Sequence, residues 1–176
     1  DIIDLELEKV HQILAKISKD PEDEDIRSVE VSLWEKIRTK AQQGRRTGLG
    51  ITAEGDMLAA LGLQYGSDEA IDFAVEVQKT LAVEAYRASV QLAKERGAFP
   101  IFDAGREKNN PMIGRIKEAD PALYEEMVKS GRRNIAMLTI APTGTTSLMS
   151  QTTSGIEPVF RPVYMRRRKV NPSDKD

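Results

Sequence analysis

Apolar residues recur every three or four positions over the first 45 residues, which is the spacing of an amphipathic helix. The first repeat covers residues 3–17, with charged residues between its members. Asp20 and Pro21 provide a cap and a pre-set first turn, and they predict a second helix that ends at Gly44. The apolar side of this second helix consists of Ile26, Val29, Leu33 and Ile37, with Trp34 as a further candidate.

The chain after this helical pair is punctuated by glycines. Residues 46–52 contain two of them, so a brief strand or a close-packed turn is predicted there. A short helix is predicted over residues 53–61, and a long one from Ser67 to Arg96, and each is followed by a glycine. A stripe of small residues along the long helix permits close packing.

The region that follows is less regular. Residues 99–102 include a proline and form at best an edge strand or an extended connector. Residues 103–120 are expected to be mostly loop, with one helical turn over residues 113–118. A helix is then predicted from Asp120 to the residue before Gly131, because an Asp-Pro pair begins it and a glycine ends it.

A buried strand is predicted over residues 134–140, which are apolar and branched, and the turn after it has the composition of an anion site. A helix is expected to follow over residues 145–151. Its first amides have no intrahelical acceptor, and a glycine lets a ligand approach the backbone, so a phosphate is the ligand that fits best. The candidate binding residues are Pro142, Thr143, Gly144, Thr145 and Thr146.

The alternative is that the hydroxyl groups of this turn only cap the helix and satisfy local backbone groups. The segment lacks the Gly-Lys-Ser/Thr ending of a Walker loop, and it is not a dinucleotide fingerprint. The spacing of the residues by itself favours the capping interpretation.

Other polar residues are weaker candidates. His11 has no neighbouring carboxylate or second His, so a surface position is expected. Glu157 could reach a ligand, but we favour an anchor for its own turn. Arg45 and Arg46 could meet a phosphate, but they also suit the negative end of the preceding helix. The basic run 166–169 is predicted to be a solubilising tail rather than a nucleic-acid contact.

Composition limits the classes of function. The chain has 176 residues, 26 basic and 28 acidic side chains, one His and no Cys. This length suits one domain, the net charge of −2 gives no drive toward nucleic acid, and no apolar run is long enough for a membrane helix. Without Cys there is no disulfide, thiolate zinc site or thiol chemistry. The chain starts at Asp1, which suggests a piece of a longer protein.

Three segments in order resemble the large, catalytic subunit of ribonucleotide reductase. They read GRRTGLGITAEGDMLAAL (residues 44–61), LAKERGAFPIF (92–102) and RNIAMLTIAPTGTTSLMSQTTSGIEPVF (133–160). The motifs IAPTGTTS and SGIEP are more similar to those of the adenosylcobalamin-dependent class than to those of the class with a separate radical-generating subunit. The opening DIIDLELEKV is also similar to a helix of this family.

The resemblance implies an α/β, predominantly helical chain that forms part of the second half of a ten-stranded α/β barrel. Residues 46–168 would be that portion, residues 1–45 a helical pair inserted in one subfamily, and residues 169–176 a disordered tail. An isolated piece would leave strand edges and apolar surface uncovered. We therefore expect dimerisation, partial disorder or a local rearrangement.

The resemblance also implies a function. The loop over residues 142–146 would hold the phosphates of a ribonucleoside di- or triphosphate, in a cytoplasmic enzyme that uses adenosylcobalamin and a thioredoxin-like reductant to replace the 2′-hydroxyl by hydrogen. No nucleic-acid or membrane partner is implied, and a homodimer is an option. The radical and reducing cysteines would lie elsewhere, so this chain alone is expected to be inactive. Two alternatives are a helical protein-interaction module and a piece of a glycyl-radical enzyme.

Overall fold

The computed structural model describes residues 2–165 and 167, and most of these residues are helical, as predicted. We number the helices in chain order. They are α1 (Ile2–Ile17), α2 (Glu24–Gly44), α3 (Glu54–Ala60), α4 (Asp68–Arg96), α5 (Ala104–Glu107), α6 (Pro111–Ala119), α7 (Pro121–Ser130) and α8 (Gly144–Ser150). None of these helices in the described part of the chain is both long and apolar enough to cross a membrane.

Two extended segments pair in parallel: the first lies around Leu49 and the second around Leu138. The described residues form no regular strand. The pairing is a single bridge between Leu49 and Leu138. The Leu49 amide donates to the Met137 carbonyl at 2.6 Å, and the Thr139 amide donates to the Leu49 carbonyl at 2.9 Å. The predicted buried strand over residues 134–140 is therefore wrong, because pairing is limited to this short contact and the last two residues of the run are exposed.

The prediction of a loop over residues 103–120 is also wrong, because two short helices occupy most of it. The Asp103 carboxylate accepts from the amides of Gly105 and Arg106 at the start of α5. The Asn110 side chain accepts from the Met112 amide at 2.9 Å at the start of α6. These caps satisfy amides that a helix start leaves unpaired, and they stabilise helices that are too short to form by propensity alone.

The start of α2 differs from the predicted one. The helix begins at Glu24 and is preceded by Asp23, whose side chain makes no capping hydrogen bond. Asp20, the predicted cap, instead offers its carbonyl oxygen to the Arg27 guanidinium at 3.3 Å. The other predicted helices begin and end within one or two residues of the observed bounds.

Contacts divide the chain into two units. Unit 1 contains residues 1–50 and 73–140, and unit 2 contains residues 51–72 and the chain from Ala141 onward. The predicted domain boundary after residue 45 stays a prediction, and the predicted tail over residues 169–176 lies outside the described residues. The core of unit 1 is built from α4, α6, α7 and the second extended segment. Its buried members are Tyr86, Val90, Ile113, Ile116, Leu123, Met127 and Met137.

Buried polar groups fix the start of the second extended segment within unit 1. The Ser89 hydroxyl donates to the Asn134 side-chain oxygen at 2.9 Å, and the Asn134 side-chain amide donates to the Arg45 carbonyl at 2.8 Å. Arg132, only 1% exposed, holds both carboxylate oxygens of Glu107. These hydrogen bonds, together with the one from the Ile135 amide to the Gly44 carbonyl, tie the segment to α2, α4 and α5.

Candidate functional site

The candidate phosphate loop, residues 142–146, lies in unit 2 and leads directly into α8. Thr143 occupies the position before the helix, and Gly144 is its first residue, which confirms the predicted helix start to within one residue. Thr143 is half-buried. The other four candidates are exposed, and they are Pro142, Gly144, Thr145 and Thr146.

The first three amides of α8 have no acceptor among residues 2–165 and 167. The first amide of the helix with a backbone acceptor is that of Ser147, which donates to the Thr143 carbonyl at 2.8 Å. The buried Ser147 hydroxyl donates to the Gly144 carbonyl at 2.8 Å and is thereby used inside the turn. The amides of residues 144–146 point along the positive end of the helix dipole, so they are available to an anion.

The Thr143 hydroxyl belongs to a chain of hydrogen bonds within unit 2. It accepts from the Gly155 amide at 2.9 Å and lies 3.0 Å from the Thr52 hydroxyl. Thr52 donates its only hydroxyl proton to the Thr153 carbonyl at 3.2 Å, since a carbonyl can only accept. Thr143 must therefore be the donor to Thr52. We call these four groups the hydroxyl relay.

The first turn of α3 packs against the segment 153–158. The Thr153 amide donates to the Asp56 carboxylate at 2.8 Å, and the Asp56 amide donates back to the Thr153 hydroxyl at 3.3 Å. As in a capping box, the side chain of each residue accepts a hydrogen bond from the backbone amide of the other, but here the two residues are 97 positions apart. It joins two of the segments on which the family resemblance depends.

Gly55 permits the close approach of α3 to this segment. A Cβ atom on Gly55 would lie 2.5 Å from the Glu157 carbonyl oxygen and 2.7 Å from Pro158 Cα. Both of those atoms belong to the backbone and cannot move independently of the chain. A glycine is therefore required here by space, although the residue lies in a helix.

Glu157 is exposed, and its carboxylate has no hydrogen bond or ion pair to another described residue. Its backbone amide donates to the Ser154 carbonyl at 3.3 Å. The turn is thus closed by the backbone of Glu157 and by the hydroxyl relay. The expectation that Glu157 anchors its own turn is therefore supported for its backbone amide, whereas its carboxylate makes no hydrogen bond or ion pair within the described residues.

The remaining candidates are placed apart from this loop in the chain. His11 is exposed on α1, as predicted. Arg45 is buried in unit 1 and donates to the Asp4 carboxylate at 2.8 Å, a hydrogen bond that holds the pKa of Asp4 below its usual value. This supports the structural interpretation of Arg45, whereas Arg46 is exposed. Of the basic run 166–169 only Arg167 is described, and the rest lies outside the described residues.

Sequence reasoning missed three residues that shape the loop: Thr52, Asp56 and Thr153. A signal was present, because Thr52 and Asp56 flank the start of a predicted helix at positions where capping residues are expected. Their partners could not be found from sequence, since they lie 91 to 101 positions away. Within the described residues, no group of three or more His, Asp or Glu side chains could hold a metal ion.

An extended segment that ends in a neutral Pro-Thr-Gly-Thr-Thr turn with free helix amides has donors with which a loop can bind an anion. Residues 24–173 match the sequence model of the family described as "Ribonucleotide reductase, barrel domain". The chain belongs to this family.

The relatives found agree with this assignment. The chain is similar to the vitamin B12-dependent ribonucleoside-diphosphate reductase of Mycobacterium tuberculosis (strain CDC 1551 / Oshkosh), at 38% identity over 127 residues, which is 72% of this chain and 16% of the relative. It is 33% identical over 132 residues to the protein of that name in Thermoplasma acidophilum, over 75% of this chain and 15% of the relative. The ribonucleoside-diphosphate reductase subunit alpha of Treponema pallidum is 30% identical over 128 residues, 71% of this chain and 15% of the relative.

These names confirm the resemblance to the vitamin B12-dependent class of the large subunit. The chain spans about a sixth of the length of the curated relatives that it matches. The comparisons therefore establish the family of this segment.

Proposed function

We propose that this chain is the substrate-phosphate-binding part of an adenosylcobalamin-dependent ribonucleotide reductase, which converts ribonucleotides to 2′-deoxyribonucleotides. In the whole enzyme it would form part of the second half of the ten-stranded α/β barrel. Family membership supports this proposal, and the observation that carries it is the set of unpaired amides at the exposed start of α8. The ligand would be a ribonucleoside di- or triphosphate.

Residues 143–146 of the loop have distinct roles in the proposal. The amides of residues 144–146 and the hydroxyls of Thr145 and Thr146 donate to phosphate oxygens. Gly144 leaves the backbone open, because no atom lies within 4 Å of the position that a Cβ would take. Thr143 holds the turn in place, since its hydroxyl proton is already given to Thr52 within the hydroxyl relay.

The loop contributes to catalysis by positioning. Hydrogen bonds to a charged phosphate are worth about 1.5–3 kcal/mol each, and they act on a part of the substrate that does not react. Holding the phosphate fixes the ribose with respect to the reacting groups, and small misplacements of reacting atoms are costly. The loop itself is neutral, so it binds by directed donors rather than by a counter-charge.

The radical chemistry has to come from outside this segment. The chain has no Cys, so it supplies neither the thiyl radical nor the reducing thiols of the proposed reaction. Adenosylcobalamin would supply the radical-generating chemistry when bound, and we assign none of the described residues to it. A thioredoxin-like reductant would restore the cysteines of the full enzyme.

The test is the Michaelis constant of the full-length enzyme that contains this segment. Thr146→Ala should raise the KM for the ribonucleotide by about 10-fold, the loss of one hydrogen bond to a charged group, with a smaller effect on kcat. Thr39→Ala is the matched control, because the Thr39 hydroxyl only donates to the Glu35 carbonyl within α2. The control variant should keep the KM of the parent enzyme.

Thr143→Val separates positioning from direct binding. This variant breaks the bonds of Thr143 to Gly155 and Thr52, so hydrogen exchange of the Gly155 amide should accelerate together with the rise in KM. Thr146→Ala should leave that exchange unchanged. A KM that does not change in Thr146→Ala would refute the assignment of the loop to the substrate phosphate.

A further inference from the structure

The segment 153–155 lies between the start of α3 and the candidate phosphate loop, and Thr153 is held there at each of its polar groups. The Thr153 amide donates to the Asp56 carboxylate at 2.8 Å, and the Thr153 hydroxyl accepts from the Asp56 amide at 3.3 Å. The Thr153 carbonyl accepts from the Thr52 hydroxyl at 3.2 Å. All of these bonds come from residues 52–56, so the start of α3 fixes Thr153.

Gly155 extends this arrangement to the loop. The Gly155 carbonyl accepts from the Glu54 amide at 3.3 Å, and the Gly155 amide donates to the Thr143 hydroxyl at 2.9 Å. The Thr143 hydroxyl in turn donates to Thr52 at 3.0 Å. The segment 153–155 thus connects the first turn of α3 to the residue that precedes α8, entirely within unit 2.

Asp56 supplies the charged acceptor of this network. The other bonds named above are accepted by hydroxyl and carbonyl oxygens, and a hydrogen bond to a charged group is roughly twice as strong as a neutral one. Asp56 is half-buried, which weakens the competition from water. One of its carboxylate oxygens accepts from Thr153, and the other has no hydrogen bond to a described residue. We therefore expect the bond between Asp56 and Thr153 to contribute most to the order of the segment.

We propose that Asp56 is a positioning residue for the substrate phosphate. By fixing Thr153 it sets the position of Thr143, and through Thr143 the positions of residues 144–146. This inference rests on the proposed function, because it concerns how the same loop is held in place. Asp56 makes no contact with the substrate in this proposal, since its carboxylate is used by Thr153 and would repel a phosphate.

The test is the Michaelis constant of the full-length enzyme that contains this segment. Asp56→Ala should raise the KM for the ribonucleotide by about 10-fold, the fold-change for loss of one hydrogen bond to a charged group, with a smaller change in kcat. Asp56→Asn should restore most of the parent KM. Its amide oxygen can still accept from Thr153, and its amide nitrogen can take the place of the carboxylate oxygen that has no hydrogen bond.

Asp68→Ala is the matched control. Asp68 also lies in the first turn of a helix, α4, but it is exposed and its carboxylate has no hydrogen bond or ion pair to another described residue. This variant should keep the KM of the parent. Hydrogen exchange follows the route of the effect: the amides of Thr153 and Gly155 should exchange faster in Asp56→Ala and at the parent rate in Asp68→Ala.

A double variant separates positioning of the loop from a general loss of stability. If Asp56 acts through the loop, Thr146→Ala should raise the KM much less in the Asp56→Ala background than in the parent, because the Thr146 hydroxyl is already misplaced. Two independent losses would multiply instead. If Asp56→Ala does not fold, Thr52→Val provides the same comparison from the other side of Thr153, and Thr52→Ser, which keeps the hydroxyl, is its rescue.

The outcomes distinguish this inference from the proposed function. A parent-like KM in Asp56→Ala, together with a raised KM in Thr146→Ala, would overturn the role of Asp56 and leave the proposed function standing. Effects that multiply in the double variant, or a KM that Asp56→Asn does not restore, would overturn the role of Asp56 equally. An unchanged KM in Thr146→Ala would refute the proposed function, and the positioning role would fall with it.

Discussion

Replacing Gly55 by alanine tests whether the fit between α3 and the segment 153–158 holds unit 2 together. An added Cβ would lie 2.5 Å from the Glu157 carbonyl oxygen, while ordinary contacts begin at 3.4 Å, so the segment must move by about 1 Å. Overpacking against backbone costs about 1–3 kcal/mol, and the helix preference for alanine returns up to about 1 kcal/mol. We expect a net loss of about 1 kcal/mol in the free energy of unfolding.

The assay combines urea denaturation with hydrogen exchange. In Gly55→Ala the amides of Glu54 and Asp56 should exchange faster, because both donate across the displaced contact. Gly114→Ala is the matched control, since Gly114 also lies in a helix but nothing lies within 4 Å of its added Cβ. The control should gain up to about 1 kcal/mol. If Gly55→Ala were as stable as Gly114→Ala and showed unchanged exchange, the steric reasoning would fail.

Two further predictions concern local backbone strain and acid stability. Gln151 ends α8 with φ of 57°, a left-handed conformation that glycine adopts without strain, so Gln151→Gly should raise the free energy of unfolding by about 1 kcal/mol in a denaturation series. In the same series Gln42→Gly, within α2, should lower it, and equal effects at the two sites would refute the argument. The hydrogen bond from Arg45 holds the pKa of Asp4 in the folded state below its ordinary value of 3.8, so the folded state binds fewer protons than the unfolded state in acid. The ionised Asp4 therefore stabilises the fold above pH 3.8, and this stabilisation is lost as pH falls through the lowered pKa. The parent should therefore be more stable than Asp4→Asn near neutral pH, and the difference should shrink in urea titrations below pH 3.8; a difference that does not depend on pH would contradict this assignment.

Sequence predicted the helices best where local chemistry alone fixes their ends. Helix α7 begins after Asp120, whose carboxylate accepts from the Leu123 amide at 2.9 Å, as its Asp-Pro pair predicts. Gly97 follows α4 with φ of 85°, as a helix-ending glycine should. In both cases the signal lies within a few residues of the element that it defines.

Sequence failed where the outcome depends on distant partners. The run 134–140 has the composition of a buried strand, but the burial of a strand requires neighbours on both sides, and here Leu138 pairs with Leu49 in a single bridge. Helix α6 (Pro111–Ala119) was predicted only as one helical turn over residues 113–118, inside a segment expected to be mostly loop. It is stabilised by burial of Ile113 and Ile116 in the core of unit 1, which no local pattern can reveal.

The candidate loop was found from sequence, but its support was not. Its Pro-Thr-Gly-Thr-Thr sequence indicates where a helix can begin with free amides. The finding that the Thr143 proton is committed to Thr52 requires a structure, because the two residues are 91 positions apart. The exposure of the apolar side of α2, which consists of Ile26, Val29, Leu33 and Ile37, also required coordinates, since an apolar row looks the same in sequence whether it is covered or exposed.

The parallel bridge between Leu49 and Leu138 has a consequence for the order of folding. It joins residues about 90 positions apart, and closing a flexible loop of that length costs about 4 kcal/mol by (3/2)RT ln n. Both residues belong to unit 1, so this entropic cost has to be met by the packing of that unit. We therefore expect the bridge to form together with the core of unit 1 rather than before it.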